Sequence, residues 1–128
     1  MTFYSAWIAA PLMLLVAVLG LRISALRLSG AARGEGHAVE RFTRWQRAHG
    51  NAVEHVPFAM LLLFMLELAR GGKLMVLAIG VPFVIARLAH AYGTIAARKL
   101  PKRGGAAITY AVEITLGVLL LVKLAQGL

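Results

Sequence analysis

The side chains best suited to bind a charged ligand are grouped in two short segments of an otherwise apolar chain. The first segment contains Arg47, Asn51, Glu54 and His55, at spacings of four, three and one residues. Because successive residues of an α-helix are rotated by about 100°, these four would fall within an arc of about 100°. They would form one polar stripe that combines a cation, an amide, a carboxylate and an imidazole.

A second polar stripe is predicted further along the chain. Arg87, His90, Thr94 and Arg98 are spaced by three, four and four residues, which also places them on one face of a helix. Two such stripes on neighbouring antiparallel helices would line a charged cleft.

The elements that carry these stripes are predicted to span a membrane. Of the 128 residues, 60% are hydrophobic and 15% are charged, whereas soluble domains are about 45–50% apolar. A helix needs about 20 apolar residues to cross a bilayer. Four stretches meet this length, and we predict one all-α membrane domain (1–128) with spans at residues 2–25, 45–69, 74–98 and 104–125.

The connections between the spans predict an antiparallel four-helix bundle, because short turns join antiparallel neighbours. Residues 28–40 form the longest predicted loop, residues 70–73 a tight turn and residues 100–105 a basic turn. Basic residues are concentrated in the first and third connections. The positive-inside rule then predicts that these two connections are cytoplasmic and that both termini are periplasmic in a bacterial inner membrane.

The net charge of +9 does not indicate nucleic-acid binding. Most of the Lys and Arg residues lie in residues 22–47 and 98–103, beside apolar runs, where positive charge fixes membrane topology. The chain has no cysteine, which excludes a disulfide scaffold, a cysteine-ligated zinc site and a cysteine nucleophile. We predict no metal site and no nucleic-acid partner.

Ionisable groups within the predicted spans need partners or a function, since each costs at least about 2.5–3.5 kcal/mol on insertion scales. A rise of about 1.5 Å per residue puts Glu54, Arg87, His90 and Glu113 at similar depths, about 10–15 Å from the cytoplasmic ends. One interpretation is structural: Arg87 would form a buried ion pair with Glu54 or Glu113 that fixes helix packing. The other is that these groups face a bound ligand.

The segment from Arg47 to Phe58, RAHGNAVEHVPF, has the pattern R-x-x-x-N-x-x-E-x-x-P. This pattern resembles the start of the second span in the MAPEG superfamily, the membrane-associated proteins of eicosanoid and glutathione metabolism. The segment from Arg87 to Gly93 resembles that family's Arg-x-x-His/Tyr-x-x-Gly signature in the third span. With the length, the four spans and the long first loop, the resemblance covers essentially the whole chain and is closest to small bacterial members.

The resemblance implies a homotrimer that binds glutathione between neighbouring subunits and uses its thiolate to conjugate or reduce hydrophobic electrophiles from the lipid. By position, Arg47 would bind a glutathione carboxylate and Glu54 its amino group. The remaining positions of the predicted glutathione site are Asn51, His55, Arg87 and His90.

Two positions depart from the leukotriene synthase type of the family. Thr94 replaces a tyrosine that contacts glutathione, and Pro101 stands in register with the arginine that activates the thiol. Arg98, one turn earlier on the same predicted face, is the expected substitute and the predicted catalytic residue. A nearby guanidinium favours the charged form of a thiol.

Three alternatives remain at this point. The departures at Thr94 and Pro101 favour a non-enzymatic trimer that binds a lipid or another amphipathic ligand in the same cleft. A small ion-coupled exporter is disfavoured because the first span has no carboxylate. A haem protein would use His55 and His90 as axial ligands from adjacent helices.

Overall fold

The computed structural model describes residues 3–127 and consists of four long α-helices with one short 3₁₀ helix, Ala31–Arg33. All four α-helices are long and apolar enough to cross a membrane, and no strand occurs among the described residues. The helices are α1 (Tyr4–Leu28), α2 (His37–Leu68), α3 (Lys73–Ile95) and α4 (Lys99–Ala125). The predicted all-α class with four potential membrane helices is confirmed.

The outer surface of the helices is apolar. Large side chains such as Trp7, Leu14, Leu61 and Leu121 are more than half exposed. A soluble monomer rarely exposes contiguous apolar surface on this scale. Together with the four apolar helices, this surface identifies an integral membrane protein.

Helices α2 and α3 occupy the centre of the bundle. They contact each other, and each also contacts α1 and α4, whereas the backbones of α1 and α4 do not approach each other closely. Apolar side chains fill the interior, among them the fully buried Leu12, Val56, Leu63, Phe83 and Leu116. We call the end with the α1–α2 connection and the α3–α4 turn the basic end, and the opposite end the far end.

Helices α3 and α4 approach each other at glycines near the basic end. A Cβ atom at Gly105 would lie 2.5 Å from the carbonyl oxygen of Ala86 and 2.7 Å from the backbone nitrogen of His90. A Cβ atom at Gly93 would collide with the backbone of Lys102. Small residues at such positions let membrane helices pack at close distance, so these glycines fix the α3–α4 spacing.

At the far end, the carboxylate of Glu67 on α2 caps the first turn of α1. It accepts hydrogen bonds from the backbone N–H groups of Tyr4 (2.6 Å) and Ser5 (3.0 Å) and from the Ser5 hydroxyl (2.5 Å). The first N–H groups of a helix have no partner within the helix. Glu67 supplies those partners and holds the start of α1 against α2.

The predicted turn at residues 100–105 is wrong, because these residues form the first turns of α4. Pro101 is compatible with this position because it lies in the first turn, where backbone N–H groups lack intrahelical partners. The actual turn comprises residues 96–98, between the end of α3 and the start of α4.

Helix α2 begins at His37, within the predicted loop at residues 28–40. Its 32 residues would extend about 48 Å, well beyond the hydrocarbon core of about 30 Å. Apolar runs locate the part of a helix that spans the membrane, and they do not detect charged turns that continue into water. Arg98 likewise precedes α4 and is not part of the α3 stripe.

Candidate functional site

A cationic cleft of about 520 Å³ lies at the basic end, between α2 and the α3–α4 turn. Glu40 is the single carboxylate among its described lining residues. The cations that line it are Arg44, Arg47, Arg98, Lys99 and Lys102. Its volume is within the range of about 300–1,000 Å³ that is usual for small-molecule sites. The excess of positive charge favours a ligand with more than one anionic group.

A tight turn brings these cations together. Helix α3 ends at Ile95, and Ala97 adopts a left-handed conformation with φ 55°. The N–H of Arg98 then donates a hydrogen bond to the carbonyl oxygen of Gly93 at 2.8 Å, the pattern of a Schellman motif. The reversal places the start of α4 beside the second helix, so that Arg98 and Lys102 face Arg47 across the cleft.

Buried polar groups of α3 continue from the cleft into the bundle. Thr94 lines the cleft, and His90 and Arg87 follow at one-turn intervals on the same helix face. All three residues are buried, and Arg87 is 1% exposed. Three of their polar atoms are buried without a hydrogen-bond partner in residues 3–127, namely Arg87 Nε, His90 Nδ1 and Thr94 Oγ1.

Arg87 is held by two neutral groups. Its guanidinium donates to Oδ1 of Asn51 on α2 at 2.8 Å and to the hydroxyl of Thr109 on α4 at 3.3 Å. The Thr109 hydroxyl in turn donates to the carbonyl oxygen of Gly105 at 2.8 Å. Arg87 therefore links α2, α3 and α4. The cost of leaving its Nε–H unpaired in a bilayer favours a ligand or water near Nε.

Glu113 pairs with His55 rather than with Arg87. Nδ1 of His55 lies 2.7 Å from Oε1 of Glu113, which joins α2 to α4. The Tyr110 ring meets the imidazole edge-on, with the ring centroids 5.3 Å apart. Neither predicted ion pair, Arg87–Glu54 or Arg87–Glu113, is formed among the described residues. Within one subunit, Arg87 is therefore held by neutral hydrogen-bond partners and not by an ion pair with a described residue.

The family model that matches this chain is that of the MAPEG family, over residues 2–122. The chain belongs to the MAPEG family. Searches of curated proteins and of solved structures gave no match. The predicted resemblance is thus confirmed over essentially the whole chain.

Within one subunit of this MAPEG protein, the predicted site residues fall into separate positions. Arg47 and Arg98 are exposed and line the cleft. Asn51 binds Arg87 below it, and His55 binds Glu113 still deeper in α2. The predicted site as a whole stays a prediction.

Glu54 and His90 complete the predicted set. Glu54 is exposed and does not line the cleft, because it lies about two turns further along α2 than Arg47, on nearly the same face of the helix. His90 is buried on α3, and its backbone and Cβ atom lie against Gly105 of α4.

Two residues of the site differ from what the sequence predicts. Lys102 is expected to fix membrane topology, yet it lines the cleft, and Thr109 belongs to no predicted polar stripe although it binds Arg87. Gly105, Thr109 and Glu113 are spaced by four residues and share one face of α4. The sequence does not predict this stripe, because Gly105 falls within the turn expected at residues 100–105.

Proposed function

We propose that this protein binds glutathione in the cationic cleft and uses its thiolate to conjugate or reduce hydrophobic electrophiles. The observation that carries the proposal is the cleft itself, in which five cations and one carboxylate lie above buried, unpaired polar atoms of α3. Glutathione has two carboxylates, one ammonium group and one thiol. Its charges therefore complement those of the cleft, and membership of the MAPEG family supports this ligand.

Arg47 is our choice for binding a glutathione carboxylate, because its side chain is exposed at the cleft and makes no ion pair with a described residue. A charge-assisted hydrogen bond between a guanidinium and a carboxylate is among the stronger polar contacts in proteins. Asn51 and Arg87 form the floor of the site, and His90 supplies a ring nitrogen that has no partner among residues 3–127.

A homotrimer would complete the site. Glu54 is exposed on α2 away from the cleft, and a carboxylate that faces lipid is unfavourable. A second subunit packed against this surface would bury Glu54 and allow it to bind the ammonium group of glutathione. Glutathione would then lie between neighbouring subunits.

The two substrates would reach the site from different sides, glutathione from water and the electrophile from the lipid. Glutathione would enter from the cytoplasm if the basic end faces it, as the positive-inside rule predicts for a bacterial inner membrane. The electrophile would arrive through the lipid along the apolar helix surfaces. In conjugation, the thiolate forms a bond to the electrophilic carbon while the leaving group departs with its electron pair. Arg98 would stabilise the thiolate from the cleft wall.

A second candidate function is the binding of a lipid or another amphipathic ligand without turnover. It is favoured by Pro101, which occupies the first turn of α4 and provides no cation, and by Thr94 at a position where a tyrosine would contact glutathione. Ligand binding without any conversion of electrophiles would support this alternative.

The test is calorimetric titration of the detergent-purified protein with glutathione, with Arg47→Ala and Arg103→Ala compared in parallel. Arg103 is a matched control, since it is exposed at the same end and does not line the cleft. Loss of a charged hydrogen bond of about 1.5–3 kcal/mol predicts that Arg47→Ala binds at least about tenfold more weakly.

We expect Arg103→Ala to bind as the wild type does. If the wild-type protein does not bind millimolar glutathione, the proposal is wrong. If both variants weaken binding equally, the effect is one of overall charge, and Arg47 is not part of the site.

A further inference from the structure

An apolar groove lies between α2 and α4 at the far end of the bundle, away from the cationic cleft. Its volume is about 360 Å³, and no polar side chain lines it. Leu62 and Met65 of α2 form one wall, and Leu120 and Leu124 of α4 form the other. Gly117 also lines the groove, and a Cβ atom there would have no atom within 4 Å. This glycine therefore leaves open space between the two helices.

The length of the groove suits a lipid acyl chain. From Leu62 to Ala69 on one wall and from Gly117 to Leu124 on the other, the chain advances by seven residues, or about 10 Å in a helix. One leaflet provides half of a hydrocarbon core of about 30 Å. The groove starts near the ends of α2 and α4 and thus lies within a single leaflet.

A cationic pocket adjoins this groove at the helix ends. Ala69 lines both cavities, and the second one, of about 320 Å³, is also lined by Arg70, Lys123 and Gln126. Arg70 directly follows Ala69, and Lys123 directly precedes Leu124 of the groove. The apolar groove therefore leads to two cations at the level where lipid headgroups begin.

The charge of the two cations is not balanced within the part of the chain that the structure describes. Neither Arg70 nor Lys123 forms an ion pair with a residue in the range 3–127. Glu67 is at the same end, but it lines neither cavity, and its carboxylate accepts hydrogen bonds from the first turn of α1. The pocket is thus suited to an anion, since Arg and Lys form strong charge-assisted hydrogen bonds with phosphate.

The fold does not require an arginine at position 70. Arg70 follows the end of α2 in a left-handed conformation, with φ 58°. Glycine is the residue usually found at this position, because a Cβ atom makes the conformation unfavourable. The arginine side chain can therefore be removed without loss of a contact that the turn needs.

We propose that the groove and the adjoining pocket bind an anionic phospholipid. The phosphate of the headgroup contacts Arg70 and Lys123, and one acyl chain lies in the groove beside Gly117. The order of cationic and apolar groups matches that of a lipid in one leaflet. The pocket has no carboxylate among its described lining residues that could bind the ammonium group of a zwitterionic headgroup. This site shares no residue with the cationic cleft.

The experiment is native mass spectrometry of the detergent-purified full chain with dioleoyl phosphatidylglycerol or dioleoyl phosphatidylcholine, which differ only in the headgroup. The variants are the double substitution Arg70→Gln with Lys123→Gln, the single substitution Arg70→Gly, and Gly117→Leu, which fills the groove. Lys73→Gln is the matched control, because Lys73 is exposed at the same end and lines neither cavity. Glycerol phosphate, which has the phosphate and no acyl chain, serves as a competitor.

We expect the wild-type protein to bind phosphatidylglycerol at least about tenfold more tightly than phosphatidylcholine. Each cation contributes about fivefold, so the double variant should lose at least about twentyfold in affinity for the anionic lipid. Arg70→Gly should bind it about fivefold more weakly and melt at or above the wild-type temperature, a combination that a purely structural role would not give. Gly117→Leu should weaken the binding of both lipids, and Lys73→Gln should match the wild type.

Equal affinities of the wild-type protein for the two lipids would overturn the proposal, as would an unchanged preference in the double variant. Displacement of phosphatidylglycerol by an equal concentration of glycerol phosphate would mean that the pocket takes a soluble anion, and the lipid site would be wrong. A Gly117→Leu variant with unchanged lipid binding and a smaller oligomeric mass would mean that a second copy of the chain covers the groove, which would also overturn it.

Discussion

Replacing Gly105 with alanine should separate α3 from α4, whereas the same change at the neighbouring Gly104 should not. A Cβ atom at position 105 would lie 2.5 Å from the carbonyl oxygen of Ala86 and 2.7 Å from the backbone nitrogen of His90. A Cβ atom at Gly104 would have no atom within 4 Å. Both glycines are in the same turn of α4, so the pair isolates the effect of packing.

The magnitude follows from this geometry. Ordinary contacts of a Cβ atom begin near 3.4 Å, so the helices would have to move apart by about 1 Å. The obstructing atoms are mostly backbone and cannot rotate away, and overpacking of this kind costs about 1–3 kcal/mol. Both variants gain about 0.5–1 kcal/mol because alanine is favoured over glycine within a helix. The gain cancels between them, and Gly105→Ala should be less stable than Gly104→Ala by about 1–3 kcal/mol.

The separation should also affect the site. His90 contacts Gly105 directly, and Arg87 reaches α4 through Thr109, whose hydroxyl donates to the Gly105 carbonyl. We therefore expect Gly105→Ala to weaken glutathione binding, and Gly104→Ala to leave it unchanged.

The assay is reversible unfolding in mixed detergent micelles, followed by circular dichroism, together with calorimetric titration of glutathione. Equal free energies of unfolding for the two variants would refute the argument, because they would mean that α3 and α4 do not pack at the distance described. A stabilised Gly105→Ala would refute it more directly.

Two further substitutions test other parts of the fold. Glu67→Gln should lower the free energy of unfolding by about 1–2 kcal/mol, because the charged cap on the first turn of α1 becomes neutral. A melting temperature in detergent equal to that of the wild type would contradict this role. Ala97→Gly should raise the free energy of unfolding by about 1 kcal/mol, since Ala97 is held at φ 55° and glycine removes the steric cost of that conformation. Ala96→Gly, at φ −83°, should give no such gain, and equal stabilities for the two glycine variants would argue against backbone strain at position 97.

Properties that depend on local spacing were predictable from the sequence. Apolar runs of about 20 residues indicated four membrane helices, and all four are present. The motifs that contain Arg47 and Arg87 indicated the MAPEG family, which the family model confirms. The one-turn spacing of Arg87, His90 and Thr94 predicted a shared face, and all three are buried on α3.

Helix ends were less predictable than helix interiors. The start of α4 at Lys99 depends on a turn in which Ala97, which is not a glycine, adopts a positive φ. The first turns of α2 are charged and were interpreted as a loop. In both places the chain has no strong local signal, since hydropathy reports where a helix meets lipid and not where its hydrogen bonds begin.

Partner choice required the tertiary structure. From spacing alone, Glu113 had equal reason to pair with Arg87, yet it binds His55, and Arg87 is held by Asn51 and Thr109. The grouping of cations from α2 and α4 in one cleft likewise depends on how the helices pack against each other. Periodicity gives the angle of a side chain about its own helix, but which groups meet also depends on the rotation and separation of neighbouring helices, and these are fixed by contacts such as that of Gly105 with the α3 backbone.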